Sequence, residues 1–303
     1  EEDIVVHSCA EEGAGGAPSR ARKRCDRDAP LQAGVTAGGL VVVGRGRGIT
    51  LGHRVRWTSS CHGNRNTGGE GPPNRALFEA NPSTWETKLE NFPKYVRRQN
   101  LPRFLALYEI FRRQLPVKGS IVECGVNHGF GLMSWAKLSA ILEPVNLTRR
   151  IYGFDTFEGF PSVAAQDRSA TSQHVKEGDL AADVHDELIR LLEIYDSTRF
   201  IGHVPKVKLV RGDATQTIPE FVRDNPHLVI SLLFMDFDLY EPTKVALEHF
   251  LPRMPKGAVL AFDELDNPLW PGETLAMLEQ HARRPLRLER LEFDPYISFA
   301  ILD

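Results

Sequence analysis

The segment Ser231-Leu-Leu-Phe-Met-Asp-Phe-Asp-Leu-Tyr-Glu-Pro-Thr243 decides the fold class of this chain. Its apolar half predicts a buried strand, and Asp236 and Asp238 stand where that strand ends. Glu241 and Pro242 follow, as in the first turn of a helix. A strand that delivers acids to the start of a helix is typical of an open α/β sheet, in which ligands bind beyond the carboxyl ends of the strands.

A second strand is predicted at residues 258–262, and Asp263 and Glu264 follow it directly. Because neighbouring strands of such a sheet end at one crevice, we expect the acids of both strands to lie close together. Clustered carboxylates suit a hard cation such as Mg²⁺. The alternative is that these acids only cap helices, which would explain Asp238 or Asp263 alone but explains the pair poorly.

Strand and helix patterns alternate through most of the chain. Strands are predicted at residues 119–124, 150–154, 207–210, 228–235 and 258–262, and helices at residues 130–142, 184–200, 218–223, 243–251 and 272–282. This alternation predicts an α/β fold with a doubly wound, mostly parallel sheet. Two consecutive strands, at residues 286–293 and 296–302, complete a seven-stranded sheet and predict an antiparallel C-terminal hairpin.

The composition of the chain changes near residue 75. Residues 1–75 contain more than half of the 25 glycines, and we predict a Gly/Arg-rich, mostly disordered segment with a short strand at residues 39–43. The glycine-rich string at residues 41–48 resembles a phosphate loop, but no helical start follows it, so we assign it no nucleotide. Residues 76–303 are predicted to form one domain, in which an N-terminal helical segment serves as a lid.

The bulk composition is that of an ordinary soluble globular protein, with 42% hydrophobic and 25% charged residues. A net charge of −3 gives no indication of nucleic-acid binding. No apolar run is long enough to span a bilayer, and no signal peptide is visible. The four cysteines are widely spaced and form no Cys-x-x-Cys pair, which predicts a reducing, cytoplasmic location.

The string IVECGVNHGFG at residues 121–131 places Glu123 at a strand end and three glycines in the turn before a helix. Glycine lets the backbone approach a ligand closely, although the spacing is not that of a dinucleotide fingerprint. Asp155 ends the next strand, where such folds hold a ribose; a solvated loop acid is the alternative. Asp213 ends a third strand, and an adenine contact and a helix N-cap are equally compatible with it.

With these strand ends in place, the chain resembles class I S-adenosylmethionine-dependent methyltransferases, and within them the macrocin O-methyltransferase family, which methylates sugar hydroxyls in macrolide and aminocoumarin antibiotics. The resemblance spans residues 120–265. It is carried by VECGV…G at 122–129, GFDTFEGFP at 153–161, GDATQTIP at 212–219, MDFDLYEPT at 235–243 and AFDE at 261–264. It implies S-adenosylmethionine as the cofactor, with contacts from Glu123, Gly125, Gly129, Asp155 and Asp213.

The resemblance also implies a metal site. Asp236 would bind Mg²⁺ and act as the general base, and Asp263 and Glu264 would complete the site. The family usually has two aspartates in the last pair, so direct coordination by Glu264 stays open. A divalent cation favours ionisation of a hydroxyl beside it, after which the methyl sulfonium needs only in-line placement.

The expected acceptor is a small hydroxylated molecule, with a sugar of a glycosylated natural product as the first choice and a catechol-like phenol as the alternative. An NAD-dependent oxidoreductase would share the acid after the second strand, but it would not explain the carboxylates of Asp236, Asp263 and Glu264. A catalytically inactive, methyltransferase-like binding protein is the non-enzymatic alternative. We predict neither a nucleic-acid nor a membrane partner, and a homo-oligomer is compatible with the sequence.

Overall fold

The computed structural model describes residues 32–36, 39–43, 75–172 and 175–303. The chain divides into two compact units, Glu1–Cys61 and His62–Asp303. In the first unit, strands β1 (Gln32–Thr36) and β2 (Gly39–Val43) pair as an antiparallel hairpin, so a strand is present where the sequence predicts one. The prediction of disorder for residues 1–75, and most of the glycine-rich string, fall outside the described residues.

The second unit contains a seven-stranded sheet. Its strands are β3 (Ser120–Cys124), β4 (Ile151–Asp155), β5 (Val207–Arg211), β6 (Ile230–Met235), β7 (Val259–Phe262), β8 (Glu289–Arg290) and β9 (Ser298–Ile301). Their order across the sheet is β5-β4-β3-β6-β7-β9-β8. The first five strands in this order are parallel, and β9 runs antiparallel to β7 and β8. The predicted fold class is confirmed.

Helices connect the strands. They are α1 (Arg75–Ala80), α2 (Trp85–Glu90), α3 (Asn100–Gln114), α4 (Phe130–Leu142), α5 (His185–Thr198), α6 (Ala214–Asp224), α7 (Tyr240–Phe250) and α8 (Pro271–Arg283). Most begin and end within a few residues of the prediction, but α6 begins at Ala214 rather than at residue 218, because Asp213 caps it. Within the described part of the chain, no helix has both the length and the apolar character of a membrane span.

The C-terminal hairpin is shorter than the sequence predicts, because β8 contains only two residues. Leu286 and Leu291 are buried, whereas Leu288 and Phe293 are 40% and 46% exposed. In one continuous strand, Leu286 and Leu288 would lie on one face, and Leu291 and Phe293 would lie on the opposite face. Such a strand could not bury all four apolar side chains on the same face of the sheet. A short edge strand also leaves few backbone groups open to pairing with another chain.

Successive residues of the central strands point to opposite faces of the sheet, as the period of two requires. All six residues of β6 are buried; Leu233 and Met235 join one hydrophobic core cluster, and Leu232 and Phe234 join the other. Within the sheet, β4 is the neighbour of β3 on one side and β6 is its neighbour on the other side, so the strand order reverses at β3. This reversal marks the crevice in which open α/β sheets bind their ligands.

Candidate active site

A cavity opens at the carboxyl ends of β3 to β6, at the predicted crevice. It encloses about 580 Å³ of empty space, including its mouth, which is within the range of small-molecule and cofactor sites. Four of the predicted site residues line it, namely Gly125, Asp155, Asp213 and Asp236. Glu123 and Gly129 are not among its lining residues, and their cofactor contacts stay predictions.

Gly125 brings the loop after β3 against the end of β6. Its φ is +98°, and a Cβ atom there would lie 2.0 Å from the carbonyl oxygen of Asp236. The loop can therefore follow this path only with glycine. Gly129 instead opens α4 with a φ of +84°, and a Cβ atom there would meet the side chain of Leu188 at 2.5 Å, so its visible role is the packing of α4 against α5.

Glu123 lies beneath α4 and is 1% exposed. A Cβ atom at Gly131 would lie 2.2 Å from Glu123 Oε1, so the helix packs directly on this carboxyl group. Burial, and next the charge of Asp236, raise the pKa of Glu123 well above its ordinary value. The surroundings of Glu123 therefore favour its neutral form.

Asp155 joins two loops at the rim of the cavity. Its Oδ2 accepts hydrogen bonds from the backbone N–H groups of Val126 and Asn127, each at 2.8 Å. Its Oδ1 accepts one from the N–H of Phe157 at 2.7 Å. Because each carboxylate oxygen has about two acceptor positions, Oδ1 retains capacity for a hydroxyl donor from a ligand.

Asp213 caps α6 and also lines the cavity. Its Oδ1 accepts hydrogen bonds from the backbone N–H and the hydroxyl of Thr215, at 2.9 and 2.8 Å. Of the two roles that the sequence leaves open, the helix cap is therefore present. An adenine contact stays a prediction, and it would be made by Oδ2.

Five acids gather where β6 and β7 end. They are Asp236, Asp238, Asp263, Glu264 and Glu273, and all but Asp236 are at most 3% exposed. The N–H of Asp263 donates to the carbonyl oxygen of Met235 at 2.9 Å, which continues the ladder between the strands and places the two predicted ligands side by side. Neither Asp238 nor Asp263 caps a helix, because Leu239 and Trp270 occupy the N-cap positions of α7 and α8.

Burial is the main influence on the pKa values in this acid cluster. It raises the pKa of Asp238 and of Glu273 well above their ordinary values, and it raises the pKa of Glu264 to about 7. Repulsion from the charge of Asp236 adds to each rise. The surroundings of these three side chains thus favour the protonated form more than water does.

Arg103 of α3 bridges the two predicted metal ligands. Its Nη2 lies 3.3 Å from Asp236 Oδ2, and its Nη1 donates to Asp263 Oδ1. The side chain is 15% exposed, and its guanidinium carbon lies 5.5 Å from the centre of the Phe234 ring. Asp236 and Asp263 thus converge on one positive charge, as the sequence predicts, but in this structure the charge belongs to an arginine that the sequence analysis missed.

Comparison with known proteins places the chain in a family. A family profile described as a methyltransferase domain matches residues 122–265. The crystal structure of CalS11, a calicheamicin methyltransferase, is 38% identical, covers 75% of this chain and 88% of its own, and has a TM-score of 0.71. This chain belongs to the macrocin O-methyltransferase-like family. Its members are class I S-adenosylmethionine-dependent methyltransferases.

A second structure of CalS11 and one curated relative are also informative. The apo structure of CalS11, described as a TDP-rhamnose 3'-O-methyltransferase, is 35% identical over 74% of this chain and 89% of that chain, with a TM-score of 0.64. The 8-demethyl-8-(2,3-dimethoxy-alpha-L-rhamnosyl)-tetracenomycin-C 4'-O-methyltransferase of Streptomyces olivaceus is 29% identical over 152 residues, 49% of this chain. The match spans about half of that curated relative, 53% of its length.

The resemblance to this family implies Mg²⁺, and the ligand atoms that the acid cluster offers are of the type that binds this ion. They offer only oxygen donors, as Mg²⁺ prefers, and Asp263 Oδ2 is buried with no hydrogen-bond partner among the described residues. Their present arrangement is nevertheless that of an ion pair with Arg103. Glu264 Oε2 instead accepts a hydrogen bond from Asn267 at 2.7 Å, and nowhere in the described ranges do three His, Cys, Asp or Glu side chains form a metal-binding group.

The loop at residues 161–182 is anchored over the methyltransferase cavity by Asp167. This side chain is 3% exposed; its Oδ1 accepts from the N–H of Tyr240 at 2.6 Å and its Oδ2 from that of Ala164 at 2.8 Å. Trp270, predicted either to stack on a substrate or to fill the surface, packs edge-on against Phe160 with ring centres 5.7 Å apart. Phe160 lines the cavity, so Trp270 packs against a residue of the cavity wall.

Proposed function

We propose that this chain transfers the methyl group of S-adenosylmethionine to a hydroxyl of a 6-deoxyhexose, either linked to a nucleoside diphosphate or carried by a natural product. The observation that carries the proposal is the convergence of Asp236 and Asp263 beside a cofactor-sized cavity at the switch point of the sheet. The family supplies the methyl donor. The sugar is supported by the two relatives whose names specify rhamnose hydroxyls.

In this proposal the cofactor occupies the cavity lined by Gly125, Asp155 and Asp213. Gly125 allows the backbone to approach the ligand, and the remaining acceptor position of Asp155 Oδ1 receives a ribose hydroxyl. Asp213 Oδ2 receives the adenine amino group. The loop at residues 161–182, held by Asp167, would exclude water from the methyl group. Water would otherwise compete with the acceptor hydroxyl for that group.

Asp236 is proposed as the general base. Asp236 and Asp238 both line the cavity, but Asp238 is buried, with 3% of its surface exposed, whereas Asp236 is only partly buried. As the sugar oxygen attacks the methyl carbon, the carbon–sulfur bond breaks, S-adenosylhomocysteine leaves, and the hydroxyl proton passes to Asp236. Proton transfer to a positioned base contributes about 10² to 10⁴ in rate.

Asp236, Asp263 and Glu264 are the residues that would hold Mg²⁺. When bound, such a cation lowers the pKa of a hydroxyl close to it. Because metal ligands must be deprotonated, Glu264, with a pKa of about 7, would lose its proton on joining the site. Cytoplasmic location is proposed with the activity, from the cysteine pattern of the sequence.

The test is a methyl-transfer assay on the full chain with labelled S-adenosylmethionine. The acceptors are TDP-rhamnose and catechol, each with Mg²⁺ or with EDTA. We expect a methylated sugar in the presence of Mg²⁺. Asp236→Asn should lower kcat by about 10² to 10⁴ while the Kd of the cofactor, measured by calorimetry, stays close to that of the wild type.

The matched control is Asp224→Asn, which changes a 65% exposed carboxylate at the end of α6 and should leave both quantities unchanged. Methylation of catechol but not of the sugar would overturn the substrate class. Full turnover by Asp236→Asn would overturn the assignment of Asp236 as the base. Binding of NADH in place of S-adenosylmethionine would overturn the proposed function.

A further inference from the structure

We infer that Arg103 is an internal competitor of the divalent cation: its guanidinium occupies Asp236 and Asp263 when no metal is bound and has to leave when one binds. The inference rests on the proposed metal site. It goes beyond that site because it assigns a role to a side chain of α3, which lies outside the strand-end motifs that define the family resemblance.

The geometry supports competition because the guanidinium uses the oxygens that a cation would need. Its two terminal nitrogens bind two different carboxylates, one at the end of β6 and one at the end of β7. An arginine fork more often binds one carboxylate with both nitrogens. Here the two nitrogens instead bind two neighbouring acids, as a cation between the acids would. Because Mg²⁺ needs close contacts with its oxygen ligands, the guanidinium and the ion could not occupy these oxygens together.

The buried negative charge of the two carboxylates also supports competition between Arg103 and a cation. Asp236 and Asp263 are largely buried, with side chains 11% and 1% exposed, and burying an uncompensated carboxylate is costly. Without a metal, Arg103 therefore stabilises the acid cluster; with a metal bound, the same guanidinium would repel the ion.

The helix that carries Arg103 is fixed, so the exchange would need only a movement of its side chain. The buried face of α3 includes Ala106, Leu107 and Ile110, each with no exposed surface. The guanidinium is thus tethered next to the carboxylates at a high effective concentration. A competitor held in this way weakens the apparent affinity for the metal without changing the ligands themselves.

The experiment measures Mn²⁺ binding to the full chain by electron paramagnetic resonance at neutral pH. Arg103→Met removes the charge but keeps a long apolar stem against Phe234. We expect it to bind Mn²⁺ at least ten-fold more tightly than the wild type. In EDTA it should melt at a lower temperature than the wild type, and saturating Mn²⁺ should raise its Tm by a larger amount.

The control is Arg112→Met, which changes an exposed arginine of the same helix and should bind Mn²⁺ as the wild type does. Arg103→Lys is the second variant, for use if Arg103→Met does not fold. A lysine is a point charge without a fork, so it should hold one carboxylate at a time and give an affinity between those of the wild type and Arg103→Met.

Equal or weaker Mn²⁺ binding by the Arg103 variants would overturn the competition, as would a lack of Mn²⁺ binding by every form. Methyl transfer to TDP-rhamnose, assayed in parallel, separates this outcome from failure of the proposed function. If the wild type forms product but binds no Mn²⁺, the proposed methyl transfer stands and the competition is wrong. If the Arg103 variants bind Mn²⁺ more tightly but no form makes product, the competition stands and the proposed methyl transfer is wrong.

Discussion

Asp155 serves the fold and the proposed cofactor with different parts of one carboxylate. It accepts hydrogen bonds from three backbone N–H groups of the loops after β3 and β4, and Oδ1 retains one acceptor position. The sequence indicates the acid by its position at a strand end. It does not indicate the three N–H partners, because two of them, Val126 and Asn127, come from a loop almost thirty residues earlier.

Asp155→Ala separates these two roles. It should lower the free energy of unfolding by about 1–3 kcal/mol, because buried donors lose their acceptor, and it should weaken S-adenosylmethionine binding by about ten-fold or more through loss of a charge-assisted hydrogen bond. Urea denaturation and calorimetry measure the two effects. Glu158→Ala, at a 74% exposed side chain of the same loop, is the control for both. A loss of stability with unchanged cofactor affinity would make Asp155 structural only.

Arg103 shows what local sequence patterns leave out. Acids at strand ends can be predicted because the strand–helix alternation fixes where the strands end. An arginine on a helix has no comparable signal, and α3 contains two others, Arg112 and Arg113, both in its last turn. The partners of Arg103 lie 133 and 160 residues away, so its role follows only from the assembled fold.

Asp167, at the end of a 3₁₀ turn (Ala165–Asp167), ties the loop at residues 161–182 to the first residue of α7. The sequence predicts the loop by its polarity and lack of period, whereas the anchor depends on Tyr240, 73 residues further along the chain. Gly272 has to be glycine for the same anchor, since a Cβ atom there would lie 1.9 Å from Asp167 Oδ1. The first turns of α7 and α8 and the loop therefore meet at one buried carboxyl group.

Asp167→Ala should release this loop. The N–H of Tyr240 would lose its acceptor in a buried position, which costs about 1–3 kcal/mol, and the loop would open more often. We expect faster amide hydrogen exchange across residues 161–182 and a higher KM for the acceptor. Glu177→Ala, an exposed change in the same loop, should alter neither. Unchanged exchange in the Asp167 variant would show that other contacts hold the loop.

The two ends of the sheet carry different tasks. The acids and the cavity lie at the carboxyl ends of the strands, whereas Arg149 is buried at the opposite end, 4% exposed. Its Nη2 donates to the carbonyl oxygens of Leu115 and Val117 at 3.2 and 3.0 Å, and its Nε pairs with Glu143 at 2.9 Å. The sequence predicts the sheet from its alternation of strands and helices, but this polar network depends on chain segments that only the fold brings together.

Arg149→Met tests this division between stability and function. This change removes the ion pair with Glu143 and the donor of several carbonyl groups, so the free energy of unfolding should fall by about 3–5 kcal/mol, as when one partner of a buried ion pair is lost. Urea denaturation followed by circular dichroism measures the loss. The affinity of the remaining folded protein for S-adenosylmethionine should stay that of the wild type, because the network lies at the far end of the sheet. The adjacent Arg150→Met, whose guanidinium donates to Pro205 at an exposed position, should cost less than about 1 kcal/mol; an equal loss in both variants would show that Arg149 holds no special place in the domain.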